Sequence, residues 1–375
     1  MRVVVVTESF LPQVNGVTNS VLRVCEHLQG RGSEVLVVAP GQGPTEYAGA
    51  RVARTPSVRL PGYAGFRVGR PWQGMTATLR DFRPDVVHLA SPAWLGAQAA
   101  RTARRLGVPV VAVHQTDLVR FSASYGVTTG VDRAVWARLR RVYGSAACTL
   151  APSRATVEEL QARGVPRVRR WARGVDTRAF SPAHRDPQLR RRLAPRGELL
   201  VGYVGRLARE KEVHLLAALQ GLPDVRLVVV GDGPQRPALE QLLPDAAFPG
   251  FLGGTELSRT VASLDVFVHT GSSETYCQAA QEALASAVPV VAPAAGGLLD
   301  VVADGHTGLL FEPGSAADLR RRVEQLTADP DRRHRMSRAA RWAVRGRTWE
   351  AVGEELLGHY ADALRGPGSA AVRAA

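Results

Sequence analysis

Two successive series of short, valine-rich runs, each separated from the next by a helical stretch, constrain this chain more than any other feature. The first series is "RVVVV", "EVLVVAP", "DVVHLAS", "PVVAVHQ" and "CTLAPS"; the second is "LLVGYVGRL", "VRLVVVGDGP", "DVFVHTG" and "VPVVAPAAGG". Runs that are apolar throughout read as buried strands. The stretches between them, such as "TNSVLRVCEHLQGRG" and "WLGAQAARTARRLG", carry a helical apolar period and stop at glycine. Each series therefore predicts a parallel sheet with helices on both faces. The whole is an α/β chain of two facing, doubly wound, Rossmann-like domains with a cleft between them. A length of 375 residues also exceeds the roughly 250–300 at which one core stops growing. The predicted division is a first domain at 1–177, a Pro- and Arg-rich linker at 178–197 and a second domain at 198–348. An amphipathic helix at about 349–365 packs back on the first domain, and a flexible tail covers 366–375.

Composition narrows the function classes. Three cysteines, Cys25, Cys148 and Cys277, show no metal-ligand spacing and fit a reducing cytosol better than a disulfide framework. The start "MRVVVVTESF" is too short in apolar residues for a signal peptide, and no run approaches the ~18 apolar residues of a membrane span. The expectation is a cytoplasmic protein, or one peripheral to the inner face of the plasma membrane. Charge is uneven: residues 1–196 hold 30 Arg against 12 acidic residues, whereas residues 197–375 hold 18 basic against 22 acidic. The first domain thus faces something anionic. Scattered basic residues, 6 % aromatics and the lack of any zinc-finger or RNA-recognition signature argue against nucleic acid. A membrane surface rich in anionic lipid fits equally well.

In sheets of this kind ligands bind beyond the carboxyl ends of strands. The loops of interest are "TESFLPQVNGV", "HQTDLVRF", "GRLAREKEV", "GDGP" and "HTGSSETYCQ". Asn15-Gly16 precedes a helix N-terminus, where free N–H groups suit an anion; an ordinary helix-entry glycine is the other reading. Gly231-Asp232-Gly233 lacks the remaining glycines of a dinucleotide fingerprint, which argues against a nicotinamide cofactor. Lys211 is the only lysine among 48 basic residues. A compact ammonium kept where arginine fills every other position suits a small, multiply charged group; chance survival on a helix surface is the alternative. Arg206 lies five residues earlier across a strand-to-helix connection, so the two cations could clamp a diphosphate.

The strongest signal is "SSETYCQAAQEALASAVPVVA". Glu274 falls in the loop after "DVFVH" and Glu282 one or two turns into the following helix. Two carboxylates on one edge suit recognition of sugar or ribose diols, since an ionised carboxylate accepts from vicinal hydroxyls. A helix-capping role for Glu274 and a solvated face for Glu282 remain open from the pattern alone.

The Glu-x7-Glu spacing followed by "EALASAVPVVAPAAGG", preceded in order by "VGRLAREKEV" and "VVVGDGP", resembles the retaining glycosyltransferases of family 4, which have the GT-B fold. The stretches "TESFLPQVNGVTNSV", "DVVHLASPA", "HQTDLVRFSASYG" and "RRWARGVDTRAF" are similar to actinobacterial α-mannosyltransferases that use GDP-mannose near glycolipid synthesis. The resemblance implies roles residue by residue. Gly16 would lie against the donor phosphates, Arg206 and Lys211 would bind the diphosphate, and Glu282 would hold the ribose diol. Glu274, with the backbone N–H groups of Tyr276, Cys277 and Gln278, would hold the hydroxyls of the transferred sugar. His114 would reach the reacting sugar from the other domain, and Asp117 would orient the acceptor. His114, Glu274, Arg206 and Lys211 form the implied catalytic set.

No cofactor beyond the nucleotide-sugar donor and no metal is expected. Asp329-Pro-Asp331 has the letters of a sugar-nucleotide metal motif but lies between helical segments and reads as a capping turn. The resemblance implies retention at the anomeric carbon, with departure and attack on one face. The alternatives are a UDP-sugar donor, a nucleotide-sugar epimerase or hydrolase, and a nucleic-acid-binding protein. For a lipid-borne acceptor, "RVARTPSVRLPGYAGFRVGR" at 51–70 combines arginines with Leu60, Tyr63 and Phe66 and could dock on anionic headgroups.

Overall fold

The computed structural model describes residues 1–59, 67–115 and 131–366. The chain divides into two compact units, one of Met1–Arg173 with Trp349–Ala375 and the other of Gly174–Thr348.

In the first unit the strands are β1 (Arg2–Val6), β2 (Glu34–Pro40), β3 (Glu46–Tyr47), β4 (Ala50–Thr55), β7 (Val86–Leu89), β8 (Val110–Val113), β9 (Cys148–Ala151) and β10 (Val168–Arg170). A separate hairpin pairs β5 (Ser57–Arg59) with β6 (Arg67–Gly69). The main sheet runs β10-β9-β8-β7-β1-β2-β4-β3 and is parallel except for β3. Alternation along β1 explains the four valines: Val3 and Val5 join the core with Val21, Val24 and Leu28 of the helix Gly16–Gly30, while Val4 and Val6 pack with Met75, Leu79 and Leu95 on the opposite face. The closing helix, Trp349–Arg365, buries Val352, Leu356 and Tyr360 in the first of these cores. Full burial of such side chains contributes about 1.5–3 kcal/mol each. Its attachment is also polar, since Trp171 Nε1 donates to the Val352 carbonyl at 3.0 Å and Tyr360 meets His88 Nδ1 at 2.7 Å. Burial pushes the His88 imidazole down to about 3 and keeps it neutral there.

The second unit contains β11 (Leu199–Val204), β12 (Val225–Val230), β13 (Ala247–Gly250), β14 (Val266–Val268), β15 (Val290–Pro293) and β16 (Gly308–Phe311). Its sheet is wholly parallel in the order β13-β12-β11-β14-β15-β16. The chain steps outward from β11 to β13, then returns to the other side of β11 with β14. That reversal leaves a crevice at the carboxyl ends of β11 and β14, where doubly wound sheets bind ligands.

Two expectations need correction. Residues 178–197 are not a linker, and the boundary falls at Arg173/Gly174 instead of after 177. Asp186 caps the helix Pro187–Leu193 by accepting from Gln188 N and Leu189 N. Arg185 donates to the Leu264 carbonyl at 2.9 Å, Arg190 to that of Ser263 at 2.5 Å, and Ala194 lies in the second unit's core. Polar attachment, which has no apolar period, holds this stretch. The connection after β11 is also not an α-helix; it forms 3₁₀ turns at Arg209–Lys211 and Val213–Leu219.

Candidate functional site

The loops after β11 and β14 are stitched to each other at the crevice. Thr270 Oγ1 donates to the Lys211 carbonyl at 2.7 Å, and Ser272 Oγ donates to Glu212 Oε1 at 2.5 Å. This brings Lys211 Nζ to 2.6 Å from Glu274 Oε1, with the two side chains 27 % and 15 % exposed. His269, the residue that follows β14, lies with Nε2 at 2.9 Å from the same carboxylate oxygen. Its ring stacks on Tyr203, with centroids 5.9 Å apart and planes 15° apart. Tyr203 in turn donates to the Arg206 carbonyl at 3.1 Å, so the base of the loop is fixed as well.

The electrostatics follow from this packing. Burial alone would raise the Glu274 carboxyl, but Lys211 and His269 override it and hold the group well below the usual carboxylate range. Burial likewise opposes charge on His269 and Lys211; Cys277 and Glu274 raise the imidazole, and Glu274 raises the ammonium. At neutral pH Glu274 is an anion able to accept only. An ammonium carries three donors and the Glu274 bond uses one. Arg206 is half-buried in the same loop, and desolvation lowers its guanidinium from the usual value.

The helix Gln278–Ala285 begins beside this cluster. Cys277 precedes it with φ 75°, a left-handed conformation rare outside glycine. Tyr276 and Cys277 are buried, and Gln278 Nε2 donates to the Gly174 carbonyl at 3.0 Å. Glu282 falls in the second turn of this helix and is half-buried.

Glycines let backbones approach behind the cluster. A Cβ on Gly297 would run into the Thr275 carbonyl and the Tyr276 Cα, and Gly297 N donates to the Glu274 carbonyl at 2.8 Å. Gly231, at φ 133°, is pressed against the Gly205 carbonyl, so the "GDGP" glycines bring the loops after β11 and β12 together. Gly297→Ala is therefore expected to destabilise by about 1–3 kcal/mol, the usual cost of overpacking. Turnover should fall with it, because the displaced segment carries Glu274. A melting midpoint and kcat both unchanged would show that the loop tolerates the shift.

In the first unit, Asn15 Oδ1 accepts from Val17 N and Thr18 N at 3.0 Å each, capping the helix that Gly16 opens. A Cβ on Gly16 would meet nothing within 4 Å. The Gly16 carbonyl accepts from Arg173 Nη1 at 2.7 Å, and Arg173 Nη2 donates to Gln115 Oε1 at 2.7 Å. His114 is buried, with Nδ1 2.9 Å from the Tyr143 hydroxyl. Asp117 lies outside the described residues, as do Leu60, Tyr63 and Phe66. Asp329 accepts from Arg332 N at 2.8 Å and caps the helix Pro330–Val344.

Sequence reasoning missed His269 and Glu8. Glu8 is buried and accepts from Gly69 N at 2.9 Å and Leu95 N at 2.6 Å, and desolvation raises its carboxyl despite those bonds. His269 had a signal: like His114, it immediately follows a sheet strand on the ligand-binding edge.

Comparison with known proteins places this geometry. The profile for Glycosyltransferase Family 4 matches residues 14–179, and that for Glycosyl transferases group 1 matches residues 185–342. A GDP-mannose-dependent alpha-mannosyltransferase of Mycobacterium tuberculosis is 50 % identical over 98 % of this chain and 97 % of its own length. One of Mycolicibacterium smegmatis is 51 % identical over 96 % and 97 %. The crystal structure of Anabaena HepE in complex with UDP superposes with a TM-score of 0.81 at 18 % identity, covering 96 % of this chain and 100 % of that one. The fold is that of the GT-B glycosyltransferases, enzymes that take a sugar from a nucleotide donor. Within that class the chain belongs to glycosyltransferase family 4.

Proposed function

We propose that this enzyme transfers mannose from GDP-mannose to a lipid-linked or glycolipid acceptor, with retention, to form an α-mannoside. The observation that carries the reading is the Lys211–Glu274–His269 cluster at the switch point of the second sheet. Identity of 50–51 % to two relatives named for GDP-mannose supports the donor. In this reading Arg206 and Lys211 stabilise the departing diphosphate, whose negative charge grows as the anomeric bond breaks. Glu274 accepts from hydroxyls of the transferred sugar together with the N–H groups of Tyr276, Cys277 and Gln278. Glu282 holds the ribose diol, and Gly16 leaves room for phosphate at a helix start. The Tyr143 contact fixes the His114 ring for contact with the reacting sugar. Asp117 is assigned to the acceptor. Departure and attack share one face, with the diphosphate cations supplying the charge stabilisation a metal would otherwise give.

Melting curves with GDP, UDP and ADP test the donor. A nucleotide at 100 times its dissociation constant stabilises by about 2.7 kcal/mol. GDP is expected to shift the midpoint most; a larger shift with UDP overturns the mannose assignment.

Among the described residues no helix is long and apolar enough to cross a membrane. The excess of arginine in the first half supports reversible docking on anionic lipid, at about 1 kcal/mol for each cation near the surface. Co-sedimentation with anionic vesicles should exceed that with neutral ones and decline at high salt. Equal recovery with both would favour a soluble acceptor.

A further inference from the structure

We propose that His269, Glu274 and Cys277 form a binding site for a thiophilic divalent cation of the zinc class, one that excludes the sugar nucleotide instead of assisting it. The exclusion rests on the donor assignment above; the metal site does not.

One ligating atom from each residue lies within 4.8 Å of the others. Thiolate, imidazole and carboxylate are the donors zinc takes, and four-coordinate bonds of that kind separate donors by about 3.5 Å. The His269–Glu274 pair opens slightly from 2.9 Å, and Cys277 closes on it from no more than 4.8 Å. His269 is buried and its ring is held by Tyr203, so one ligand is already oriented. Cys277, buried and in the left-handed conformation, brings its Sγ into the same cluster. Lys211 holds one oxygen of Glu274, and the carboxylate has a second. An arriving dication repels the ammonium, whose side chain is 27 % exposed and can turn outward. The Cys277 thiol and the His269 imidazolium both release their protons to solvent as the metal–sulfur and metal–nitrogen bonds form. Cys25 and Cys148 belong to the first unit and are not part of the cluster. Once bound, the cation neutralises the carboxylate assigned to sugar hydroxyls and removes Lys211 from its place.

Cobalt(II) is the probe, titrated into the full chain with a non-chelating reductant. Expected are a thiolate-to-cobalt charge-transfer band and the visible bands of a four-coordinate ion, saturating at one equivalent and bleached by zinc. Cys277→Gly should abolish the charge-transfer band. Glycine suits the left-handed backbone, and a melting midpoint close to that of the unaltered protein confirms the fold. No charge-transfer band, or one that survives in Cys277→Gly, overturns the site. GDP-mannose at saturation should remove the cobalt spectrum. A spectrum unaltered at a GDP-mannose concentration that raises the melting midpoint overturns the exclusion. If GDP-mannose raises no midpoint at all, the donor assignment fails instead.

Discussion

Lys211→Arg is expected to lower turnover by about 100-fold or more, the scale seen when one preorganised group on developing charge is lost. Exchange of one cation for another is ordinarily mild on a surface, and three features make it severe here. The root of the side chain cannot move, because the Lys211 carbonyl is held by Thr270 and a Cβ on Gly271 would already sit 3.2 Å from the Lys211 Cα. Its far end meets a mostly buried carboxylate at 2.6 Å, a distance set for an ammonium on a four-carbon stem. A guanidinium is wider and planar, and bonding to Glu274 would spread its fork across the space assigned to the diphosphate. Lys211→Ala is expected to be less stable as well, by about 1–3 kcal/mol, because it leaves a mostly buried carboxylate with His269 as its remaining charged partner. An arginine variant with wild-type turnover and donor affinity would show that the position needs only a positive charge.

Both sheets could be read from the sequence because their central strands are apolar on both faces, as in "VVVV" of β1 and "LVVV" of β12. Edge strands were harder. β13 is "AFPG", with a proline that belongs only at a sheet margin, and β16 is four residues long. The stretch 178–197 misled for a different reason. Its ties are arginine-to-carbonyl bonds reaching some 75 residues along the chain, such as Arg190 to Ser263, and no local periodicity encodes them. The site shows the same division. Lys211 and Glu274 stood out by rarity and spacing, but their direct pairing depends on β11 and β14 being neighbours. That adjacency is a property of topology, and His269, the third member, shares only its strand-end position with His114 and gains its partner Glu274 through the fold.

The pairing sharpens what the two glutamates should do when each is made neutral. Glu274→Gln keeps the shape but removes the charge that holds Lys211 and His269, so turnover with GDP-mannose is expected to fall by about 100- to 1,000-fold. GDP lacks the sugar, and Lys211 without its carboxylate is freer to meet phosphate. GDP affinity should therefore stay unchanged or rise slightly. Glu282→Gln removes the carboxylate assigned to the ribose diol, which substrate and product share. A hydrogen bond to a charged group contributes about 1.5–3 kcal/mol, so GDP binding should weaken by about 10- to 100-fold while turnover at saturating donor changes little. Titration calorimetry with GDP and turnover at saturating GDP-mannose, run on both variants, separate the two roles. Comparable loss of GDP affinity in both would mean that the two carboxylates act on the nucleotide together. Comparable loss of turnover with GDP affinity intact in both would place Glu282 on the sugar beside Glu274.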